Sequence, residues 1–170
     1  IIAQIAVACH FGYSIGNKVQ VQTYQHFRDS EDWKWRDGGG SFTVAYANIT
    51  EPSENVNLLI NISGTIDRTL ITTDYPEYPI SANSPGFSFL QSWQQVLDFR
   101  LKYRDVLDKI RQEHGESVTI HLYPATPNPI NFEIGKGIMK NLDPTIILYD
   151  KTSGGTVYRE VMCLHKRIRE

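Results

Sequence analysis

Apolar residues recur at three-to-four-residue spacing at the start of the chain, at Ile2, Ile5, Ala6, Cys9 and Tyr13. This predicts a helix over residues 1–13, closed by Gly16 and Asn17. The period then drops to two: Val19 and Val21 alternate with Gln20 and Gln22, predicting a strand over about 18–25. A long polar connection carrying Trp33, Trp35 and the triplet Gly38, Gly39, Gly40 leads into Phe42, Val44 and Tyr46, a second strand. After a turn at 50–54, Val56, Leu58, Leu59, Ile60 and Ile62 form a nearly continuous apolar run. Such a run suits a parallel strand buried on both faces, and it ends at Ser63, Gly64 and Thr65. Residues 72–87, with Pro76, Pro79, Pro85 and Gly86, read as an irregular loop long enough to suspect function. Ser88 and Gln91 have capping-box spacing, and Val96, Phe99, Tyr103, Val106, Leu107 and Ile110 then mark a helix face to about residue 112. Asp98 with Lys102 and Asp105 with Lys109 pair on its solvent side, and His114 and Gly115 end it.

Residues 118–123 give the next buried strand. Residues 124–129 hold three prolines and belong inside neither helix nor strand, but Asn128 before Pro129 suits an N-cap and first turn. The following helix shows Ile130, Ile134 and Ile138 on one side, with Gly135 and Gly137 permitting close approach to a sheet. Strands follow at 145–150 and, after the turn Ser153-Gly154-Gly155, at 156–164. Strands alternating with helices predict an α/β fold with a parallel sheet and an appended hairpin strand. Both ends of the chain read as helix, strand, strand, which suggests two pseudo-symmetric units, residues 1–50 and residues 51–170. Matching the copies leaves about 70 residues of the first unit ahead of Ile1, so the first unit reads as truncated.

Composition narrows the class. Hydrophobic residues at 41% and charged residues at 21% place the chain among globular proteins. A net charge of −2 argues against a surface built for long nucleic acid, while leaving room for a small anionic ligand held by backbone N–H groups and a helix N-terminus. Cys9 and Cys163 lie singly in apolar runs and read as buried thiols in a reducing compartment. The five histidines show no metal-ligand spacing, so neither metal nor cofactor is expected. No run reaches the roughly 18 apolar residues of a membrane span, and a cytoplasmic protein is expected.

In an open parallel sheet, ligands bind beyond the carboxyl ends of the strands. Two loops fall there. Ser63-Gly64-Thr65 either brings backbone and hydroxyls close to a ligand or is a tight turn. Tyr123-Pro124-Ala125-Thr126-Pro127-Asn128 leads to a helix N-terminus and its partial positive charge, and is equally a rigid strand-to-helix turn. Trp33 and Trp35, one residue apart, point to one side of an extended segment, where they either clamp a base or pack under the Gly-rich turn. Tyr75 and Tyr78 in the Pro-rich loop are candidates of the same kind, and Arg68, Lys136 and Lys151 are candidate phosphate partners. Gly-x-Ser-x-Gly, the P-loop and GxGxxG are all absent, and His121 on its strand reads as structural.

The stretch 118–164, VTIHLYPATPNPINFEIGKGIMKNLDPTIILYDKTSGGTVYREVMCL, resembles the C-terminal half of the SAVED domain. His121, Leu122, Tyr123, Pro124, Ala125, Pro127, Gly135, Tyr149, Asp150 and Tyr158 occupy the places of its pattern. The run LLINISGT at 58–65 is similar to the strand and loop opening the second CARF-like subdomain, and Asp32-Trp33-Lys34-Trp35 to the tryptophan-bearing segment of the first. The resemblance implies two fused Rossmann-like CARF lobes and recognition of a cyclic oligonucleotide, a cyclic di- or trinucleotide of the cGAMP type, in bacterial CBASS antiphage defence. It also implies that ligand binding drives self-association and activates a fused effector, commonly an HNH endonuclease; these 170 residues carry no effector motif and read as the non-catalytic sensor part. The alternative is a ring nuclease or nucleotide-processing hydrolase on the same fold.

Overall fold

The computed structural model describes residues 4–27, 29–30, 32–151 and 155–168. Its centre is the apolar run after residue 55, which forms β2 (Asn55–Asn61) with every residue from Val56 onward buried. β2 pairs in parallel with β3 (Glu77–Ala82) on one side and β4 (Thr119–Ala125) on the other, and β4 pairs in parallel with β5 (Thr145–Asp150). Antiparallel strands close both edges: β1 (Phe42–Val44) on β3, and β6 (Arg159–His165) on β5. The sheet therefore runs β1-β3-β2-β4-β5-β6.

Three helices, α1 (Ile5–Ile15), α2 (Trp93–His114) and α3 (Asn128–Lys136), share one core cluster with a single face of this sheet. Leu58 and Ile60 of β2, Tyr78 and Ile80 of β3, Ile120 and Leu122 of β4, and Ile146 and Leu148 of β5 point to that face. They meet Cys9 of α1, Val96, Phe99 and Tyr103 of α2, and Ile130 and Ile134 of α3. Strand alternation sends the intervening side chains to the opposite face, where Leu59, Tyr123 and Tyr149 pack under Ile66, Ile71 and Tyr158.

Several expectations are corrected. Residues 18–25 form no strand: a short 3-10 turn, Gly16–Lys18, ends α1, and irregular backbone follows. The alternation of valine and glutamine there has no neighbouring strand to pair with, and Val19 is left exposed. The other strand assigned to the first unit, β1, covers only Phe42–Val44 and is hydrogen-bonded into the same sheet as the strands of the second.

The segment 72–87 is not wholly irregular, because it contains β3. Pro79 sits inside that strand opposite Leu59. Its carbonyl accepts from Ala45 N–H at 3.1 Å, but proline cannot return a bond, and β1 stops at the preceding residue, Val44. The capping box lies four residues later than Ser88, at Ser92 and Gln95, because Phe89 and Leu90 enter the core before the helix starts. Pro127, not Asn128, caps α3, with Asn128 and Pro129 already in its first turn. Cys9 is buried as expected, whereas Cys163 is exposed on the edge strand β6. Ile2 and most of the turn Ser153-Gly154-Gly155 lie outside the described residues.

Candidate functional site

The parallel register aligns Asn61 of β2 with Ala125 of β4, so the two strands end level. Ile62 and Ser63 N–H both donate to the Ala125 carbonyl, at 3.0 and 2.8 Å. The two loops picked out in the sequence thus meet at the carboxyl edge of the sheet. Asn61 shapes the first of them: its Oδ1 accepts from Ile66 N–H at 2.8 Å and its Nδ2 donates to Ser81 Oγ of β3 at 3.1 Å. A side chain at Gly64 would meet no protein atom within 4 Å, and Thr65 is exposed, so the space over this turn is open.

The second loop is held more rigidly. Pro124 and Thr126 are buried, Thr126 Oγ1 is hydrogen-bonded to Asn131 Oδ1, and Asn131 Nδ2 returns a bond to Thr126 O at 3.3 Å. Ala125, Pro127 and Asn128 stay partly accessible beside the start of α3; Pro129 has no N–H and Ile130 and Asn131 N–H both donate to Pro127 O at 3.0 Å, which leaves Asn128 N–H to carry the partial positive charge of that end. On the other side of β2, Gly86 N–H donates to Ile62 O at 2.9 Å, bringing the segment ahead of α2 to the same edge.

The tryptophans divide. Trp35 packs against the core beside Trp93, with ring centroids 6.1 Å apart, and its Nε1 donates to Thr23 O at 2.9 Å. Arg36 N–H bonds Gln91 O at 2.9 Å, tying this segment to the start of α2 at the same carboxyl edge. Trp33 is exposed and meets the His26 ring edge-on, whereas Trp35 turns to the core, so the two indoles do not form one clamp.

The remaining candidates scatter. Arg68 reaches Glu77 at 2.9 Å and is thereby neutralised away from the strand tips. Lys151 follows β5 and is exposed; its charge helps hold the Asp67 carboxyl below the usual range, after the larger effect of hydrogen bonds from Thr69. Tyr78 is fully buried on the helix face of β3, its hydroxyl bonded to Glu113 and His114, and is not a loop residue. Tyr123 is buried on the opposite face of the sheet, while Tyr75 packs on His121 there at 5.2 Å between ring centroids.

That second face holds an aromatic band that sequence reasoning did not assemble. Tyr123 stacks on Tyr149 at 4.8 Å, and Tyr158 meets Tyr123 edge-on at 5.4 Å. Burial pushes the Tyr123 hydroxyl up to about 12 and raises those of Tyr149 and Tyr158, so all three remain donors at neutral pH. Burial lowers the His121 pKa, partly offset by Glu160, and the ring is neutral. Its Nδ1 lies 3.1 Å from Tyr149 Oη and its Nε2 3.0 Å from Asn55 Oδ1. Both nitrogens have structural partners, leaving none positioned as a general base. The band was latent in β4 and β5, where His121, Tyr123 and Tyr149 occupy alternate positions facing away from the helices.

The family model described as "SMODS-associated and fused to various effectors sensor domain", SAVED, matches residues 1–164. The chain belongs to the SAVED family. Its fold is that of solved SAVED structures. The SAVED/CARF-domain Cap4 receptor of Acinetobacter baumannii with the cyclic trinucleotide 2′3′3′-cAAA superposes with a TM-score of 0.68 at 16% identity, covering 95% of this chain and 37% of that one. A second structure of that receptor gives 0.66 at 17% identity, covering 95% of this chain and 34% of that one. The Moraxella osloensis Cap4 receptor gives 0.57 at 14% identity over 92% and 34% of the two chains. This SAVED chain therefore spans little more than a third of the length of the receptors it matches. No curated protein matches it. Among the described residues no group of three His, Cys, Asp or Glu side chains could hold a metal ion, and no helix is long and apolar enough to cross a membrane.

Proposed function

We propose that this chain is the sensor part of a receptor in which the joined loops at Ser63-Gly64-Thr65 and Ala125–Asn128 receive a cyclic oligonucleotide. Backbone N–H groups of Gly64 and Thr65 in the first loop and of Asn128 at the α3 N-terminus meet the phosphates. Lys151, exposed after β5, is offered as a phosphate partner and Trp33, exposed, as an aromatic for stacking on a base. The observation that carries this reading is the paired donation of Ile62 and Ser63 N–H to Ala125 O, which fuses two open loops into one ledge within a SAVED fold. The Acinetobacter baumannii receptor was solved with 2′3′3′-cAAA and with 3′3′3′-cAAA, and a cyclic trinucleotide is accordingly the first ligand to try. We further infer that residues 1–50 and 51–170 belong to two CARF-like lobes. Binding across them promotes self-association in the cytoplasm and switches on a fused effector, an HNH-type DNA endonuclease, in CBASS defence.

The test is a melting screen of the full chain with both cyclic triadenylates, a cyclic dinucleotide and linear tri-adenylate, followed by chromatography of the recovered nucleotide. A ligand at 100 times its Kd adds about 2.7 kcal/mol to stability. We expect a cyclic species to raise the melting temperature and be recovered intact, with the linear one inert. Failure of every ring at millimolar concentration overturns the reading, and ring opening replaces it by the hydrolase.

A further inference from the structure

The turn ahead of α2, at the carboxyl edge of the sheet, carries a large side chain that the core does not take up. Gly86 N–H donates to Ile62 O at 2.9 Å, and Ile62 is the residue just before the Ser63-Gly64-Thr65 loop. Phe89 N–H closes the turn on Gly86 O at 3.1 Å, and Phe89 and Leu90 then enter the core. Between these fixed points lies Phe87, 78% exposed, the most exposed aromatic among the described residues.

A single exposed phenylalanine is ordinary on a protein surface, so its setting carries the argument. The backbone on both sides of it is held. Ser88 O accepts from Gln91 Nε2 at 2.9 Å, and Phe89 O accepts from Gln95 Nε2 at 3.1 Å. Phe89 packs edge-on against Phe42, with ring centroids 5.3 Å apart. Phe87 is thus presented from a turn that is already ordered, and a ligand covering its phenyl ring would have little backbone to immobilise.

The glycines on the two sides of the Ile62–Gly86 bond add to this. Neither Gly64 nor Gly86 has the left-handed backbone that favours glycine, and a Cβ on either would meet no atom within 4 Å. Gly12, Gly40 and Gly135, by contrast, are each pressed against another part of the chain. At 64 and 86 neither backbone conformation nor packing calls for glycine, and the missing side chains leave the backbone open to approach from outside. Phe87 stands directly beside that opening.

We propose that Phe87 is a base-stacking residue of the ledge. With the phosphates on the N–H groups of Gly64, Thr65 and Asn128, one base of the cyclic oligonucleotide passes over Gly86 and lies on the phenyl ring. This rests on the reading of the ledge as a cyclic-oligonucleotide site. A phenyl ring has no hydrogen-bonding group, so Phe87 holds the base by its face and leaves the choice of base to other groups.

The test is calorimetric titration of the full chain with both cyclic triadenylates and a cyclic dinucleotide, beside melting curves without ligand. Phe87→Ala should weaken binding roughly 5- to 150-fold, and Phe87→Trp should restore it. Gly86→Leu should also weaken binding, by covering the approach. All three free proteins should melt with the parent, because the altered side chains lie on the surface. If the parent binds and Phe87→Ala binds equally well, the proposal is overturned while the ledge stands. A loss of affinity matched by a lower melting temperature of free Phe87→Ala also overturns it, since the residue would then be structural. Failure of the parent to bind any of the three probes overturns the ledge reading and this proposal with it.

Discussion

Gly12 of α1 and Gly135 of α3 meet backbone to backbone, and their contacts are reciprocal. A Cβ on Gly12 would fall on the Phe132 carbonyl and reach Lys136 N at 2.9 Å. A Cβ on Gly135 would fall on the Cys9 carbonyl and reach Tyr13 N at 2.7 Å. Each glycine thus faces the carbonyl three residues before the other and the amide one residue after it. The crossing has its own local two-fold relation, and the helices approach closer than any side chain would permit.

Gly12→Ala or Gly135→Ala should therefore force α1 away from α3, at a cost of about 1–3 kcal/mol. Urea unfolding of each variant checks this. A midpoint equal to the parent's would mean that the crossing relaxes freely and does not tie α1 to the sheet.

Gly135 was visible in the sequence as a site of close approach, but its partner was expected to be the sheet. Periodicity shows that a helix carries a small residue on one face; it does not show which element arrives there. The parallel strands β2, β4 and β5 were readable because each is a dense apolar run. β3 was hidden by Pro79, although Tyr78, Ile80 and Ala82 alternate as a strand should, because a proline normally ends a ladder. At the site, the loops at 63–65 and 124–128 were legible from small residues and prolines following strands. The aromatic band of His121, Tyr149 and Tyr158 was not, since its members come together only through sheet order and register.

Three histidines give the fold a pH limit. Burial lowers the pKa of His114, His121 and His165, against opposing pulls from Glu113, Glu160 and Asp143 respectively. The geometry agrees for His114: its Nδ1 accepts from Ser53 N–H at 2.8 Å, a bond that imidazolium would lose. The unfolded chain, with histidines near 6.5, binds protons that the folded chain refuses. Stability is thus fully present above about pH 6.5 and is lost as pH falls toward the folded values. The upper limit is about 1.4 kcal/mol per pH unit per histidine, and partial exposure reduces it. Urea midpoints at pH 8, 7, 6 and 5 should decline through the lower half of that range, and His114→Gln should flatten the decline. A midpoint constant from pH 8 to 5 contradicts the neutral assignments.

Asp143 has no exposed side-chain surface and depends on Arg104, with Met139 N–H as its other donor at 2.7 Å. Arg104→Met leaves that carboxylate buried with one partner and should cost about 3–5 kcal/mol. Arg104→Lys keeps the charge but loses the two-pronged contact, and should fall between the two. Chemical denaturation of the three proteins gives the order; equal stability of parent and Arg104→Met would show that the Arg104–Asp143 contact contributes nothing net to folding.

The two tryptophans should separate packing from recognition. Trp35 contributes its ring to the core and its Nε1–H to Thr23, so Trp35→Ala should lower stability by about 2 kcal/mol or more, and any loss of ligand would follow from disorder at the start of α2. Trp33 is 55% exposed, and Trp33→Ala should leave stability within about 0.5 kcal/mol of the parent. If its indole stacks on a base of the cyclic ligand, affinity drops by about 1–3 kcal/mol, roughly 5- to 150-fold. Melting curves and calorimetric titration on the same preparations read both quantities. Unchanged affinity in Trp33→Ala would remove this residue from the ligand contacts.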